Sequence, residues 1–220
     1  MWTPRGAIRI AESVCDRKPV PRKRGSAVGN FVDPFRRRMV WYESRLERSH
    51  LLLLVANPLV AEVREQQRVE FRRDGSIAVH FMDIVVIWKS GLTSAYSVKY
   101  FRDLTEDHRC EIRSIKVHNG DAFAHQYGFL KETDVGEINL ANAEEILWCA
   151  SHFDFEGRER LIHKLRSADD YVSLAQCDAW LGEGDRGSIA AKSLIQTGLL
   201  EMQPRQLLCP GSVLRNRFTN

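Results

Sequence analysis

The stretch from Phe81 to Phe101, FMDIVVIWKSGLTSAYSVKYF, decides the fold. Phe81 to Trp88 is apolar on both faces of a period-two pattern, which marks a strand buried inside a layered fold rather than at a sheet edge. Lys89-Ser90-Gly91 supplies a turn, and the following residues read as a returning strand. A hairpin symmetric about Gly91 places Asp83 opposite Lys99 at the open end. Ser97 then shares their face. An acid and a lysine brought together in a buried sheet serve equally as a structural ion pair or as the start of a catalytic site.

Upstream, Tyr42 to Gln66 reads YESRLERSHLLLLVANPLVAEVREQ. The pattern predicts a helix from about Met39 to Ala56, stopped by Asn57-Pro58 because a residue before proline avoids helical backbone. Strands are expected over Val60 to Arg64 and Arg68 to Arg72, then, after the Asp74-Gly75 turn, over Ile77 to His80. Glu43 and Glu47 stand one turn apart in this helix. Acids there favour the helix dipole, or one of them faces inward for chemistry.

Downstream, Glu106 to Tyr127 reads as a helix with Ile112, Ile115, Phe123 and Tyr127 inward. Phe129 to Asp134 is a short strand ending in a polar turn, and Ala141 to Phe153 is another helix. Together these make an α/β fold, a mixed sheet flanked by helices. From about residue 154 helices are expected over Glu156 to Arg166, Tyr171 to Trp180 and Gly187 to Thr197. A small ribbon at Gly198 to Glu201 and Leu207-Leu208 follows. With GEGDRGS as the turn between the second and third helices, this is the order of a winged-helix-like α+β domain. Such a module docks on DNA or on protein, and these residues do not separate the two.

The 220 residues are enough for one sizeable core with an appendix. The longest apolar run, Leu51 to Ala56, is too short to span a membrane. MWTPRGAIRIAESVCDRK lacks the apolar centre of a signal peptide, so a cytoplasmic protein is expected. Cys15, Cys110, Cys149, Cys177 and Cys209 form no CxxC pair, which predicts free thiols rather than zinc ligands or disulfides. His118 and His125 share no metal-ligand spacing. Net charge is only +3, but Arg17, Lys18, Arg22, Lys23, Arg24, Arg36, Arg37 and Arg38 crowd residues 1–38, among Pro19, Pro21, Gly25 and Gly29. That composition predicts a flexible arm, suited to DNA phosphates or simply to solubility.

Five segments in order, YESRLERSHLLLL, NPLVAEVREQ, MDIVVIW, SVKY and KETDVGEINLANAEEIL, resemble the PD-(D/E)xK nuclease superfamily. Within it they are most similar to TnsA, the endonuclease subunit of heteromeric transposases. The resemblance spans about residues 39–153, the expected nuclease domain with a restriction-endonuclease-like fold, and residues 154–220 suit the family's second domain. It implies that Glu47 is the helix carboxylate, Asp83 the metal-bridging aspartate and Lys99 the catalytic lysine. Glu43 is the rival for the first role and otherwise a capping or salt-bridging residue. Gln66 is a structural support.

The implied cofactor is Mg²⁺, with Mn²⁺ as a substitute, because hard cations take carboxylate oxygens, water and phosphate. Glu47, Asp83 and the Val98 carbonyl would be its protein ligands, with Lys99 stabilising charge at phosphorus. Arg22, Lys23, Arg24, Arg36, Arg37 and Arg38 would contact DNA. Two positions depart from the family pattern. Ser97 stands where the wider superfamily has an acid, and Met82 stands where proline or threonine commonly precedes the aspartate. The implied partners are transposon-end DNA, a TnsB-like DDE transposase and a TnsC-like AAA+ ATPase in a bacterial cytoplasm, with no membrane. A stand-alone nuclease and a DNA-binding assembly factor with a decayed nuclease core are the alternatives.

Overall fold

The computed structural model describes residues 9–19, 27–152, 154–182 and 184–218. The chain begins with a hairpin of β1 (Gly29–Asp33) and β2 (Arg38–Tyr42). There follow α1 (Arg45–Ala56), β3 (Val60–Arg73), β4 (Ser76–Trp88), β5 (Thr93–Val98), α2 (Glu106–Asn119), β6 (Gln126–Leu130) and α3 (Glu137–Ser151). Strands β3, β4 and β5 are antiparallel neighbours, and β6 joins β5 in parallel, giving a mixed four-stranded sheet.

The sheet is covered on both faces, as the doubly apolar β4 requires. Ile84 and Val86 pack with Leu51, Leu52 and Val55 of α1 and with Ala143 and Ile146 of α3. Met82 and Val85 pack with Ile112 and Ile115 of α2. This assignment contains a phase slip. Met82 and Ile84 are two residues apart yet face opposite layers, and in β3 Val63 faces α1 whereas Val69 and Phe71 face α2. Both strands exchange faces where Gln66 meets Asp83. The ladder pairs Glu65 with Ile84 and Gln67 with Met82, skipping that pair, and Gln66 has a positive φ of 51°. An exchange of faces of this kind, with the register kept on either side, re-aims side chains locally, as bulges do beside functional sites.

Several boundaries differ from expectation. The helix expected from Met39 begins at Arg45, because Ser44 takes extended backbone as N-cap and Arg38–Tyr42 pairs with β1 instead. The two strands expected on either side of Glu65 are one long β3, and those expected at 77–80 and 81–88 are one β4. The helix expected to reach Tyr127 ends at Asn119, where Gly120 has a φ of 51°. The β4–β5 turn is a three-residue loop closed between Trp88 and Leu92, with Gly91 as its last residue in left-handed backbone. The register therefore pairs Ile84 with Tyr96, and continuing it sets Asp83 against Ser97, with Lys99 just past the end of β5.

The rest of the chain forms α4 (Phe155–Leu165), β7 (Tyr171–Ser173), α5 (Leu174–Leu181), α6 (Arg186–Ile195), β8 (Leu200–Met202) and β9 (Val213–Asn216). Tyr171–Ser173, expected within a helix, is a strand, and the helix starts after the Ser173 cap. β9 lies between β7 and β8 in an antiparallel sheet. Helices α5 and α6 approach so closely at Gly187 that any Cβ there would overlap the Cys177 carbonyl. Leu161, Leu165, Leu174, Leu194 and Leu214 belong to the same buried cluster as Leu51 and Ile84, so both halves of the chain share one core.

All five cysteines are free thiols. No helix among the described residues is long and apolar enough to cross a membrane.

Candidate active site

The site is built where the first turn of α1 faces the phase slip of β3 and β4. Ser44 caps α1 by accepting the Glu47 N–H at 3.1 Å, and its hydroxyl donates to Glu47 Oε1 at 3.0 Å. Glu47 Oε2 accepts the Glu43 N–H at 2.9 Å. This reciprocal cap holds a carboxylate that is only 8% exposed. Leu51, Leu52 and Val55 then pin the helix to the sheet.

Asp83 is gripped from two strands. The Val98 N–H of β5 donates to Oδ2 at 2.7 Å, and the Gln66 Nε2 of β3 donates to Oδ1 at 3.2 Å. Burial raises the Asp83 carboxyl above its usual range, opposed by the Val98 N–H, the charge of Lys99, His80 and the Gln66 amide. Glu47 is pushed up to about 7, first by burial and second by the charge of Asp83. Glu47, Asp83 and Lys99 thus lie within electrostatic reach through Asp83.

Two buried carboxylates repelling each other, both raised, constitute a place that favours a cation. Among the described residues no three His, Cys, Asp or Glu side chains gather closely enough to hold a metal by themselves. Two carboxylates nevertheless fit Mg²⁺, which keeps several waters and takes the remaining oxygens from backbone or substrate phosphate. Val98 is buried beside Asp83, where its carbonyl could join them.

The other expected site residues fall differently. Ser97 is 2% exposed, and its hydroxyl lies 3.2 Å from His80 Nε2. His80 in turn lies 3.5 Å from Glu111 of α2, so Ser97 is engaged on the α2 side of the sheet rather than beside Glu47. Burial lowers the His80 imidazole, which Glu111 and Asp83 partly offset. Glu43 forms an ion pair with Arg17 at 3.2 Å.

Of the arginines expected on DNA, Arg38 is 5% exposed and paired through Nη1 with buried Glu65 at 3.0 Å, its Nη2 bonded to the Val63 carbonyl. Arg36 is tied to Asp33 at 2.9 Å and to the Val60 and Ala61 carbonyls. Both serve to bolt the β1–β2 hairpin onto β3, which corrects their expected role. Arg37 is exposed. Arg22, Lys23 and Arg24 lie outside the described residues.

Two groups at the site were not read from the sequence as part of it. His80 carried a weak signal, three residues before Asp83 on the same strand. Arg17 carried none beyond its charge, since its partners are Glu43, Gln66 and Phe81.

Compared with known proteins, the chain matches no family model and no curated sequence.

Proposed function

We propose that this chain is a metal-dependent DNA endonuclease subunit of the TnsA type, cutting the strand at the 5′ ends of a transposon during cut-and-paste DNA transposition. The observation that carries this reading is the convergence of a helix carboxylate, Glu47, and a strand carboxylate, Asp83, with Lys99 at the end of the neighbouring strand. Bound Mg²⁺ or Mn²⁺ would supply charge neutralisation at the phosphate and activation of the attacking water. Glu47 and Asp83 would hold that ion, with the Val98 carbonyl as a further oxygen. Lys99 would stabilise the negative charge that builds at phosphorus, an effect commonly worth a few kcal/mol. Ser44, Val98 N–H and Gln66 keep the two carboxylates fixed, which metal chemistry requires to within about half an ångström.

The order helix, short strand, two helices and two-stranded ribbon from α4 to β9, with β9 central in the sheet, supports a winged-helix domain. In a transposase of this type it would dock the AAA+ ATPase, and a DDE transposase would cut the 3′ ends. Double-stranded DNA at the transposon ends is the substrate.

The test is reconstitution with the cognate DDE transposase and ATPase. Wild type should give double-strand excision and Asp83→Ala only 3′ nicking. Robust cleavage of arbitrary plasmid by the purified chain alone would favour a stand-alone nuclease instead. Ser97 favours one other reading, a DNA-binding assembly factor with a decayed core, because its hydroxyl is occupied by His80 where an acid would add a ligand. Identical products from wild type and Asp83→Ala would support that reading and end the catalytic one.

A further inference from the structure

Residues 11–17 run along the outer edge of β3 and the start of β2. Ala11 bridges Arg38, exchanging backbone bonds with Arg37 and Met39 at 2.8 and 2.9 Å. The Ser13 hydroxyl donates to Glu65. The Asp16 N–H donates to the Gln66 carbonyl at 3.2 Å, and the Asp16 carboxylate accepts the Arg68 N–H at 2.7 Å. Gln67 Nε2 donates to the Val14 carbonyl at 2.9 Å. A segment expected to be a flexible arm is thus a strap stitched to the sheet at the phase slip.

The strap delivers one side chain to the site. The Arg17 guanidinium stacks 4.7 Å above the Phe81 ring. Its Nη2 donates to Gln66 Oε1 at 2.6 Å and to both Glu43 oxygens at 3.3 and 3.2 Å. The Gln66 amide, filled at its oxygen end, turns its nitrogen to Asp83 Oδ1.

We propose that Arg17 is a positioning residue of the candidate active centre, acting on Asp83 through the Gln66 amide. The chemistry of the three groups leaves one orientation. Arginine only donates, an ionised carboxylate only accepts, and an amide has one end of each kind. With Oε1 taken by Arg17, the amide presents its N–H to Asp83, and its bond to Arg17 is charge-assisted. Without Arg17 the amide can flip, and its oxygen then repels the carboxylate it had steadied. Gln66 is held in addition through its backbone, since the positive φ turns its carbonyl to Asp16 of the same strap. The strap therefore sets both the main chain and the side chain of the residue that orients Asp83. That this matters for metal binding rests on the nuclease reading, whereas the orienting relay stands without it.

Two readouts on the full chain test the relay. In the metal-free protein, the exchange of the Gln66 side-chain amide protons is followed by NMR. Mn²⁺ binding is then measured calorimetrically for wild type, Arg17→Ala, Arg17→Met, Arg17→Lys, Gln66→Leu and the Arg17→Ala/Gln66→Leu double variant. Arg17→Met keeps the apolar stem over Phe81 and so separates lost donors from lost packing.

Arg17→Ala and Arg17→Met should both speed amide exchange at least tenfold and weaken Mn²⁺ binding by about 10- to 100-fold, the range for groups that orient a metal ligand. Arg17→Lys should keep most of the affinity. The double variant should bind no worse than Gln66→Leu, because both substitutions break one chain of contacts. Additive losses, or amide exchange unchanged in Arg17→Ala and Arg17→Met, would overturn the proposal. Wild type that binds no Mn²⁺ while Arg17→Ala still frees the Gln66 amide would sink the metal reading and leave the relay standing. Mn²⁺ binding abolished by Asp83→Ala but untouched by both Arg17→Ala and Arg17→Met would do the reverse.

Discussion

Glu47 is a costly residue to keep. Its carboxyl is raised from 4.5 to about 7 by burial and by Asp83. The native chain therefore holds that proton more tightly than the unfolded chain does. Its contribution to stability is fully present below about pH 4.5 and is lost as pH rises towards 7. The shift corresponds to about 3 kcal/mol of destabilisation at alkaline pH. Glu47→Gln removes the charge and gives up one cap hydrogen bond. Without divalent ions at pH 8 it should be more stable than wild type by on the order of 2 kcal/mol. At pH 5 the difference should vanish, as chemical denaturation at the two pH values would show. Mn²⁺ at 100 times its Kd should stabilise wild type by about 2.7 kcal/mol and leave Glu47→Gln unmoved. A wild type more stable than Glu47→Gln at pH 8 without metal would mean that the carboxylate has no unfavourable charge to relieve.

The first turn of α1 and the slip shared by β3 and β4 are the elements that make the site. Ser44 both starts the helix and bonds the Glu47 carboxylate, so Ser44→Ala should cost about 1 kcal/mol of stability. On the nuclease reading it should also weaken Mn²⁺ binding about tenfold by calorimetry, because Ser44 holds the proposed ligand Glu47. This level divides what the sequence reveals from what it hides. The layered α/β sheet was legible because β4 is apolar on both faces and its covering helices carry their own stripes. Asp83 and Lys99 were legible as near neighbours because one short hairpin joins them. Their register was not, since Gly91 can centre a turn or end a three-residue loop, and backbone hydrogen bonds decide between the two. The slip at Gln66 left no mark either. A glutamine at positive φ is unfavourable by about 1 to 2 kcal/mol, and contacts distant in sequence from the strap compensate it. Ser97 was misplaced for the same reason, because a slip in neighbouring strands changes which side chains meet.

At the scale of the molecule, the buried cluster that holds Leu51 and Ile84 also holds Leu161, Leu194 and Leu214, so the two halves of the chain share a core. The buried Arg38–Glu65 pair ties the amino-terminal hairpin to β3. Arg38→Met strands the Glu65 charge and should cost about 3 to 5 kcal/mol, measured by chemical denaturation. Gly187 lets α5 and α6 touch, so Gly187→Ala should cost on the order of 3 kcal/mol by overpacking, read in the same way. Composition reports charge without reporting partners, so the sequence shows Arg17 and Arg38 only as part of a basic segment, while Gln66 and Glu65 lie far along the chain. On the nuclease reading, folding gathers Glu47 and Asp83 around a divalent ion. Anomalous diffraction from crystals grown with Mn²⁺ tests it most directly. A single strong peak within about 2.2 Å of oxygens from both carboxylates is the expected result. Well-ordered carboxylates with no peak between them, or a peak held by other residues, would contradict it.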